Sequence, residues 1–131
     1  MFLTKECDYA IRIVRSLSGM GVKSVKTICE GENLPLPFAY KILKKLEKAR
    51  IVRSYRGAAG GYQLRREPSA IDLLEIVSAV DKDLFLNECL KEGFECKNNQ
   101  AGKPCKVHIE LDRIQEMLIG ALQEKNMMEL V

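Results

Sequence analysis

Three cysteines and the single histidine of the chain lie close together near its end, in the order Cys89-x6-Cys96-x8-Cys105-x2-His108. Thiolates bind soft metals and the irons of iron–sulfur clusters, and a flexible segment that carries three of them can wrap such a cluster. Zinc bound by three thiolates and one imidazole is a second interpretation, although the usual Cys-x2-Cys pair is absent. A metal-free thiol redox switch is the third.

The cysteine content also indicates the compartment in which the chain works. Five cysteines are an odd number, so a closed set of disulfides would leave one thiol unpaired. Glu6 and Asp8 interrupt the apolar stretch that a secretory signal needs, and no apolar run reaches the eighteen residues of a membrane span. We therefore expect a cytoplasmic protein with reduced cysteines and no membrane partner.

Positive charge is concentrated in one segment of the chain. The net charge of the 131 residues is +3, yet residues 41–56 contain seven basic residues and one acid, so the rest of the chain is net negative. A surplus this local is typical of a nucleic-acid contact, whereas a lone lysine-rich helix is about as often a solvated surface. The neighbouring elements decide between these two interpretations.

Three helices are predicted in the first part of the chain, and the third of them reaches into the basic segment. Apolar residues at three- and four-residue spacing predict an amphipathic helix from about Lys5 to Met20, and Ser24 can cap a second helix that ends near Gly31. A third helix, with Pro37 in its first turn, should run to about Lys48. Its apolar residues would face inward and its lysines outward, so the second and third helices fit a helix-turn-helix.

A β-hairpin is predicted directly after the third helix. Strand-like residues 51–55 and 62–65 flank the glycine-rich turn 56–61, whose glycines permit positive φ angles. A hairpin in this place is the wing of a winged helix. Helix-turn-helix, basic surface and wing together predict binding to DNA.

The second half of the chain is predicted to hold a helix, a loop and a final helix. Ser69, with Asp72 three residues later, approximates a capping box for the first of these helices. Residues 83–104 show no helical period and form a long loop. The final helix should run from about Cys105 to Lys125, with an apolar seam that suits pairing with a second copy: Val107, Leu111, Ile114, Leu118 and Ala121.

The predicted fold class is mainly α with a small β-hairpin wing. Residues 1–82 are assigned to a winged helix-turn-helix DNA-binding domain. Residues 83–104 are assigned to a cysteine-bearing cluster loop, and residues 105–131 to a long dimerisation helix and tail.

Four stretches of the sequence resemble one bacterial family of winged-helix transcriptional regulators. This family includes an iron–sulfur cluster regulator, a nitric-oxide-sensitive repressor and a cysteine-metabolism repressor. The matching stretches are Leu3-Thr4-Lys5 with Asp8-Tyr9-Ala10, the wing Arg56-Gly-Ala-Ala-Gly-Gly-Tyr62, Val77-Ser-Ala-Val-Asp81 and the closing Glu129-Leu130-Val131.

The resemblance implies a two-fold dimer on palindromic double-stranded DNA, with each third helix in a major groove. Tyr40 and Lys41 would reach base edges, and Lys44, Lys45 and Lys48 would hold phosphates. The resemblance further implies that Arg56 enters the adjacent minor groove. The remaining residues of this predicted surface lead the third helix or form the wing turn: Pro37, Phe38, Gly57, Gly60 and Gly61.

The resemblance also implies that Cys89, Cys96 and Cys105 bind an iron–sulfur cluster, either 2Fe–2S or 4Fe–4S. The gaps between these cysteines are longer than is usual in the family. His108 and Asp8 are equal candidates for a fourth, non-cysteine ligand. Glu32 is a weaker third candidate.

The predicted function is therefore a DNA-binding regulator that senses iron–sulfur, redox or nitric-oxide status. A zinc- or thiol-based regulator without a cluster is the alternative. Neither an enzyme nor a small-molecule substrate is expected, because the histidine has no orienting Asn or Asp and no nucleotide-binding glycine motif is present. A cluster carrier that does not bind DNA would have no need of a basic helix followed by a wing.

Overall fold

The computed structural model describes residues 3–19 and 21–131, which form six α-helices and a two-stranded antiparallel sheet. The predicted fold class is confirmed. Short 3-10 helices at Pro68–Ala70 and Glu88–Leu90 lie in the connections. In chain order the elements are α1 (Lys5–Leu17), α2 (Val25–Glu32), α3 (Leu36–Lys48), β1 (Val52–Tyr55), β2 (Gly61–Leu64), α4 (Leu73–Val80), α5 (Lys106–Glu124) and α6 (Met127–Leu130).

One apolar core joins α1 to the three helices that pack around it. Helix α1 contacts α2, α3 and α4, and its buried face includes Ile13 and Leu17. Every buried residue in the described part of the chain is apolar, so the core contains no ionisable carboxylate, amine or imidazole. Within the same ranges, no helix combines the length and the apolarity that a membrane span requires.

Two helix ends differ from the prediction. Helix α1 ends at Leu17, because the hydroxyl of Ser18 donates to the Val14 carbonyl and the chain then leaves the helix. The predicted end at Met20 falls outside the described residues. Helix α2 continues past Gly31 to Glu32, because Asn33 adopts the left-handed conformation (φ 56°) that ends a helix.

The capping prediction for the fourth helix was wrong about the residue. Ser69 lies within the 3-10 helix Pro68–Ala70, and α4 begins only at Leu73. Asp72 is the N-cap, since its side chain accepts a hydrogen bond from the backbone N–H of Glu75 at 2.8 Å. A capping carboxylate at that point also interacts favourably with the positive end of the helix dipole.

The wing is the predicted hairpin, and it gains a single-residue bridge that was not predicted. Strand β1 pairs with β2 from Val52 opposite Leu64 to Tyr55 opposite Gly61. Lys23 adds a bridge on the other side of β2, with two backbone hydrogen bonds to Tyr62 at 2.8 and 2.9 Å. The wing is thereby fastened to the connection between α1 and α2.

Helix α5 leaves the winged-helix domain, and α6 returns to it. No residue of α5 is buried, whereas Met127 of α6 is buried in the core and its N–H donates to the Ile71 carbonyl at 2.8 Å. A capping box between Asn126 and Glu129 starts α6. The contacts of α6 therefore hold the C-terminal end of α5 against the domain.

Candidate functional site

Helix α3 presents a continuous basic and aromatic surface to solvent. Its apolar residues Ala39, Ile42, Leu43 and Leu46 are buried, as their spacing predicted. The opposite face exposes Phe38, Tyr40 and the ammonium groups of Lys41, Lys44 and Lys48. Pro35 is the N-cap of α3 and Pro37 lies in its first turn, where a missing N–H costs nothing.

The wing lies beside this surface and is linked to α3. The side chain of Ser54 in β1 donates to the Glu47 carboxylate at 2.7 Å. Arg56 is exposed at the start of the turn, and the N–H of Gly60 closes that turn onto the Gly57 carbonyl at 3.0 Å. The guanidinium of Arg56 is thus presented to solvent by a hydrogen-bonded hairpin.

Gly61 occupies a position that no larger residue can take without movement. Its φ is +153°, and an added Cβ would overlap the carbonyl oxygen of Lys23. Glycine is therefore needed both for backbone conformation and for the close approach of the Lys23 segment.

One acid on α1 contacts the basic surface, and the sequence analysis did not single it out for this role. Each carboxylate oxygen of Glu6 accepts one hydrogen bond, from Lys41 at 2.8 Å and from Lys45 at 2.7 Å. Lys45 also donates to the Val80 carbonyl at 3.2 Å. The hydrogen bonds from the two ammonium groups lower the pKa of Glu6. No sequence signal marks a contact between residues 35 and 39 positions apart.

The three loop cysteines are half-buried, and no two of them are linked by a disulfide. Asn87 donates its amide to the Cys89 thiol at 3.3 Å, and Asn99 accepts the N–H of Cys105 at 2.9 Å. In residues 3–19 and 21–131, no three His, Cys, Asp or Glu side chains are close enough together to hold a metal ion. The loop thus leaves the thiols half-buried without gathering three such side chains into a ligand set within the described ranges.

His108 lies in the first turn of α5, one turn after Cys105. Its Nδ1 atom is buried and has no hydrogen-bond partner among the described residues. A buried imidazole nitrogen without a partner is uncommon, and it suits a ligand that is not a protein side chain. The donor set of three thiols and one imidazole fits the chemistry of a metal or cluster site.

The two acidic candidates for the fourth ligand are both held by arginines of α1. Asp8 forms an ion pair with Arg12 at 3.0 Å, and Glu32 forms one with Arg15. Arg12 also donates to the backbone carbonyl of Glu32 at 3.4 Å, so the two pairs are joined. The neighbouring Glu32 carboxylate raises the pKa of Arg15, which keeps that guanidinium charged.

The remaining two cysteines belong to the core. Cys7 is fully buried, and its sulfur accepts the Thr4 hydroxyl at 3.3 Å. Cys29 is also buried; burial raises the pKa of its thiol, and the charge of Glu30 adds to this effect. Neither thiol lies in the loop that carries the other three.

Comparison with known proteins shows which family this chain matches. Residues 3–131 match the family described as Rrf2, iron-dependent transcriptional regulator. The chain is 30% identical over 134 residues to the HTH-type transcriptional regulator IscR of Klebsiella pneumoniae, a match that covers all of this chain and 80% of that protein. It is 39% identical over 87 residues to the putative HTH-type transcriptional regulator slr0846 of Synechocystis, covering 64% of this chain and 59% of that protein.

The fold is shared with a solved regulator. CymR, the global cysteine regulator of B. subtilis, superposes with a TM-score of 0.79 at 24% sequence identity, over 98% of this chain and 94% of that one. At this level of identity the superposition establishes the winged-helix fold with its long C-terminal helix.

Proposed function

The chain belongs to the Rrf2 family of transcriptional regulators, and from this premise we propose that it senses iron–sulfur, redox or nitric-oxide status through Cys89, Cys96 and Cys105. As a family member it is a DNA-binding regulator of transcription and not an enzyme. The observation that supports the sensory proposal is the half-buried state of the three thiols together with the buried Nδ1 of His108, for which the described residues offer no hydrogen-bond partner.

We assign the DNA-reading surface to the exposed face of α3 and to the wing. We expect Tyr40 to meet base edges and Lys44 and Lys48 to meet phosphates, because all three side chains are exposed on one face. Lys41 and Lys45 can contact DNA only when they leave the Glu6 carboxylate. Arg56, at the end of a closed hairpin, suits the adjacent minor groove. We expect the partner to be a palindromic duplex, since a two-fold dimer presents two equal reading heads.

The second protomer would pair through α5. This helix exposes 66% of Val107, 60% of Met117 and 36% of Leu118, and it buries none of its residues within one chain. An apolar face of this kind in a small protein is typical of an oligomer interface. A second copy is the natural occupant, since an identical α5 offers the same apolar seam in return.

The loop cysteines would hold the cluster, with His108 or Asp8 as the fourth ligand. When bound, an iron–sulfur cluster supplies a redox-active group at this place. His108 is the more available of the two candidates, because Arg12 must release the Asp8 carboxylate before that carboxylate can bind anything else. A site completed by His108 would lie within one subunit.

The loop is connected to both helices that could transmit its state. The backbone N–H of Leu86 donates to Gln115 of α5 at 2.9 Å, and Asp81, two residues before the loop, caps the end of α4. Helix α4 packs against α1 and α3. A change in loop order would therefore act on the packing beneath the reading head, and a coupling of about 1.4 kcal/mol would change operator affinity tenfold.

A thiol- or zinc-based regulator is the second candidate. The absence of three clustered ligands in residues 3–19 and 21–131 supports the thiol form of this candidate, because a thiol switch requires no preformed ligand set. The two candidates differ in the metal that accompanies the purified protein.

Anaerobic purification followed by absorbance spectroscopy and by iron, sulfide and zinc analysis tests the proposal. We expect a coloured protein with iron and sulfide, and loss of both in the Cys96→Ala variant. The Cys29→Ala variant is the matched control, because Cys29 is buried in the core away from the loop, and it should retain iron. A colourless protein loaded with zinc would establish the second candidate instead.

Operator binding tests the regulatory part of the proposal. Holo and apo protein should differ about tenfold in affinity for the same duplex at one salt concentration. Equal affinity and equal sequence preference in the two states would eliminate the switch while leaving DNA binding intact.

A further inference from the structure

The lysines of α3 are not equally available to DNA. Lys41 and Lys45 each donate to one oxygen of the Glu6 carboxylate, at 2.8 and 2.7 Å, and Lys45 is held from the other side by the Val80 carbonyl. Lys44 and Lys48 are exposed and form no ion pair with any side chain in the described ranges. Glu6 on α1 thus pairs with two of these four lysines, whereas the ammonium groups of the other two stay available.

The pairing with Glu6 should affect the affinity for duplex DNA of any base sequence. A protein gains affinity for duplex DNA by placing ammonium groups on phosphates, which releases condensed counterions. A lysine that already neutralises a carboxylate must break that pair before it can contribute. Half-exposed pairs of this kind are weak enough to break, yet each break reduces the gain from the phosphate contact.

We propose that Glu6 is a positioning residue that withholds Lys41 and Lys45 from DNA phosphates and so restrains sequence-independent binding. This inference rests on the proposed placement of α3 against DNA. Sites without operator sequence vastly outnumber operators, so a lower affinity for phosphates alone leaves more protein free to reach its operators.

The salt dependence of binding to a random-sequence duplex measures this effect directly. The Glu6→Gln variant should show a slope of log K against log salt that is steeper by about 0.9 for each lysine released. At 0.1 M salt this corresponds to about eightfold tighter non-specific binding per lysine. The matched control is Glu75→Gln in α4, which removes the same charge and an ion pair with Arg66 but no contact with a lysine of α3, and it should leave the slope unchanged.

Two further comparisons separate the proposed role from simple repulsion between Glu6 and DNA. In a Lys41→Ala/Lys45→Ala background, measured at low salt, Glu6→Gln should have no further effect on the slope. An undiminished effect in that background would overturn the proposal. Among single variants, Lys44→Ala should reduce the slope by about 0.9 and Lys45→Ala by much less, whereas equal losses would contradict the withholding of Lys45.

The proposal and the function on which it rests fail in different ways. If the wild-type protein retards no duplex at low salt, both are overturned. If the wild-type protein binds and Glu6→Gln has the wild-type slope, with its circular dichroism melting curve intact, only the role of Glu6 is overturned.

Discussion

At the scale of single residues, the five cysteines fall into two classes that the sequence does not distinguish by type. Cys7 and Cys29 line the core, whereas Cys89, Cys96 and Cys105 are partly exposed on the loop. Spacing alone pointed to the last three as a group. Burial now gives a physical reason why the first two would be inert.

Alkylation of native protein stripped of metal should therefore modify three thiols and spare two. At pH 8 we expect Cys89, Cys96 and Cys105 to react at least tenfold faster than Cys29, because Cys29 is buried and its pKa lies above the ordinary 9.0. Mass spectrometry of peptides after timed quenching measures the rates. In denaturant all five should react alike, and rapid labelling of Cys29 in the native state would contradict its burial.

The raised pKa of Cys29 makes the free energy of unfolding depend on pH. The folded state favours the protonated thiol, so the stability that this thiol contributes is fully present at neutral pH, below the unfolded pKa near 9.0. It is lost as the pH rises through the higher pKa of the folded state.

The wing arginine is the residue whose role is tested most simply. Arg56→Ala should weaken operator binding by about 1–3 kcal/mol and make the salt slope shallower by about 1, since one cationic contact is lost. Fluorescence anisotropy on the operator duplex measures both quantities. Lys125→Ala, which removes an exposed charge just after α5, is the control and should bind as wild type does. An unchanged slope for Arg56→Ala would place the wing away from DNA.

At the scale of elements, the wing depends on one glycine that serves two purposes. Gly61→Ala should destabilise the fold by about 1–3 kcal/mol, because its positive φ is strained for alanine and the added Cβ meets the Lys23 carbonyl. Thermal or urea unfolding measures the change. Gly31→Ala is the control, because the helical Gly31 has open space around it and should be neutral or up to about 1 kcal/mol more stable. Equal stability of the two variants would refute the close approach.

The helices show which local predictions hold and which do not. The buried stripe of α3 followed directly from its apolar spacing, because burial of one helix face is a property of the sequence within a few turns. The start of α4 did not, because Ser69 and Asp72 are both acceptable N-caps and the 3-10 helix before α4 determines which of them is used.

At the scale of the whole molecule, we expect the exposed apolar face of α5 to pair two copies of the chain. Leu118→Glu should raise the dimer dissociation constant more than a hundredfold, since an uncompensated charge buried at an interface costs at least about 3 kcal/mol. Sedimentation velocity measures the change, and operator affinity should fall with it.

The monomer should remain folded in this variant, because no residue of α5 is buried within one chain. Gln123→Glu, which adds the same charge at an exposed position of α5, should remain dimeric. A dimer of wild-type strength in Leu118→Glu would show that the copies pair through another surface.

The sequence by itself determined the order and type of the helices and strands from α1 to α5, the basic segment and the loop that carries the cysteines, but not the short helix α6. These features depend on interactions within one to four residues, such as helical periodicity, capping and turn glycines. Only the tertiary structure decided that Glu6 holds Lys41 and Lys45, that Lys23 backs the wing and that Met127 returns to the core. Such contacts join positions far apart in the chain, and their distances are set by how the helices pack rather than by any local pattern.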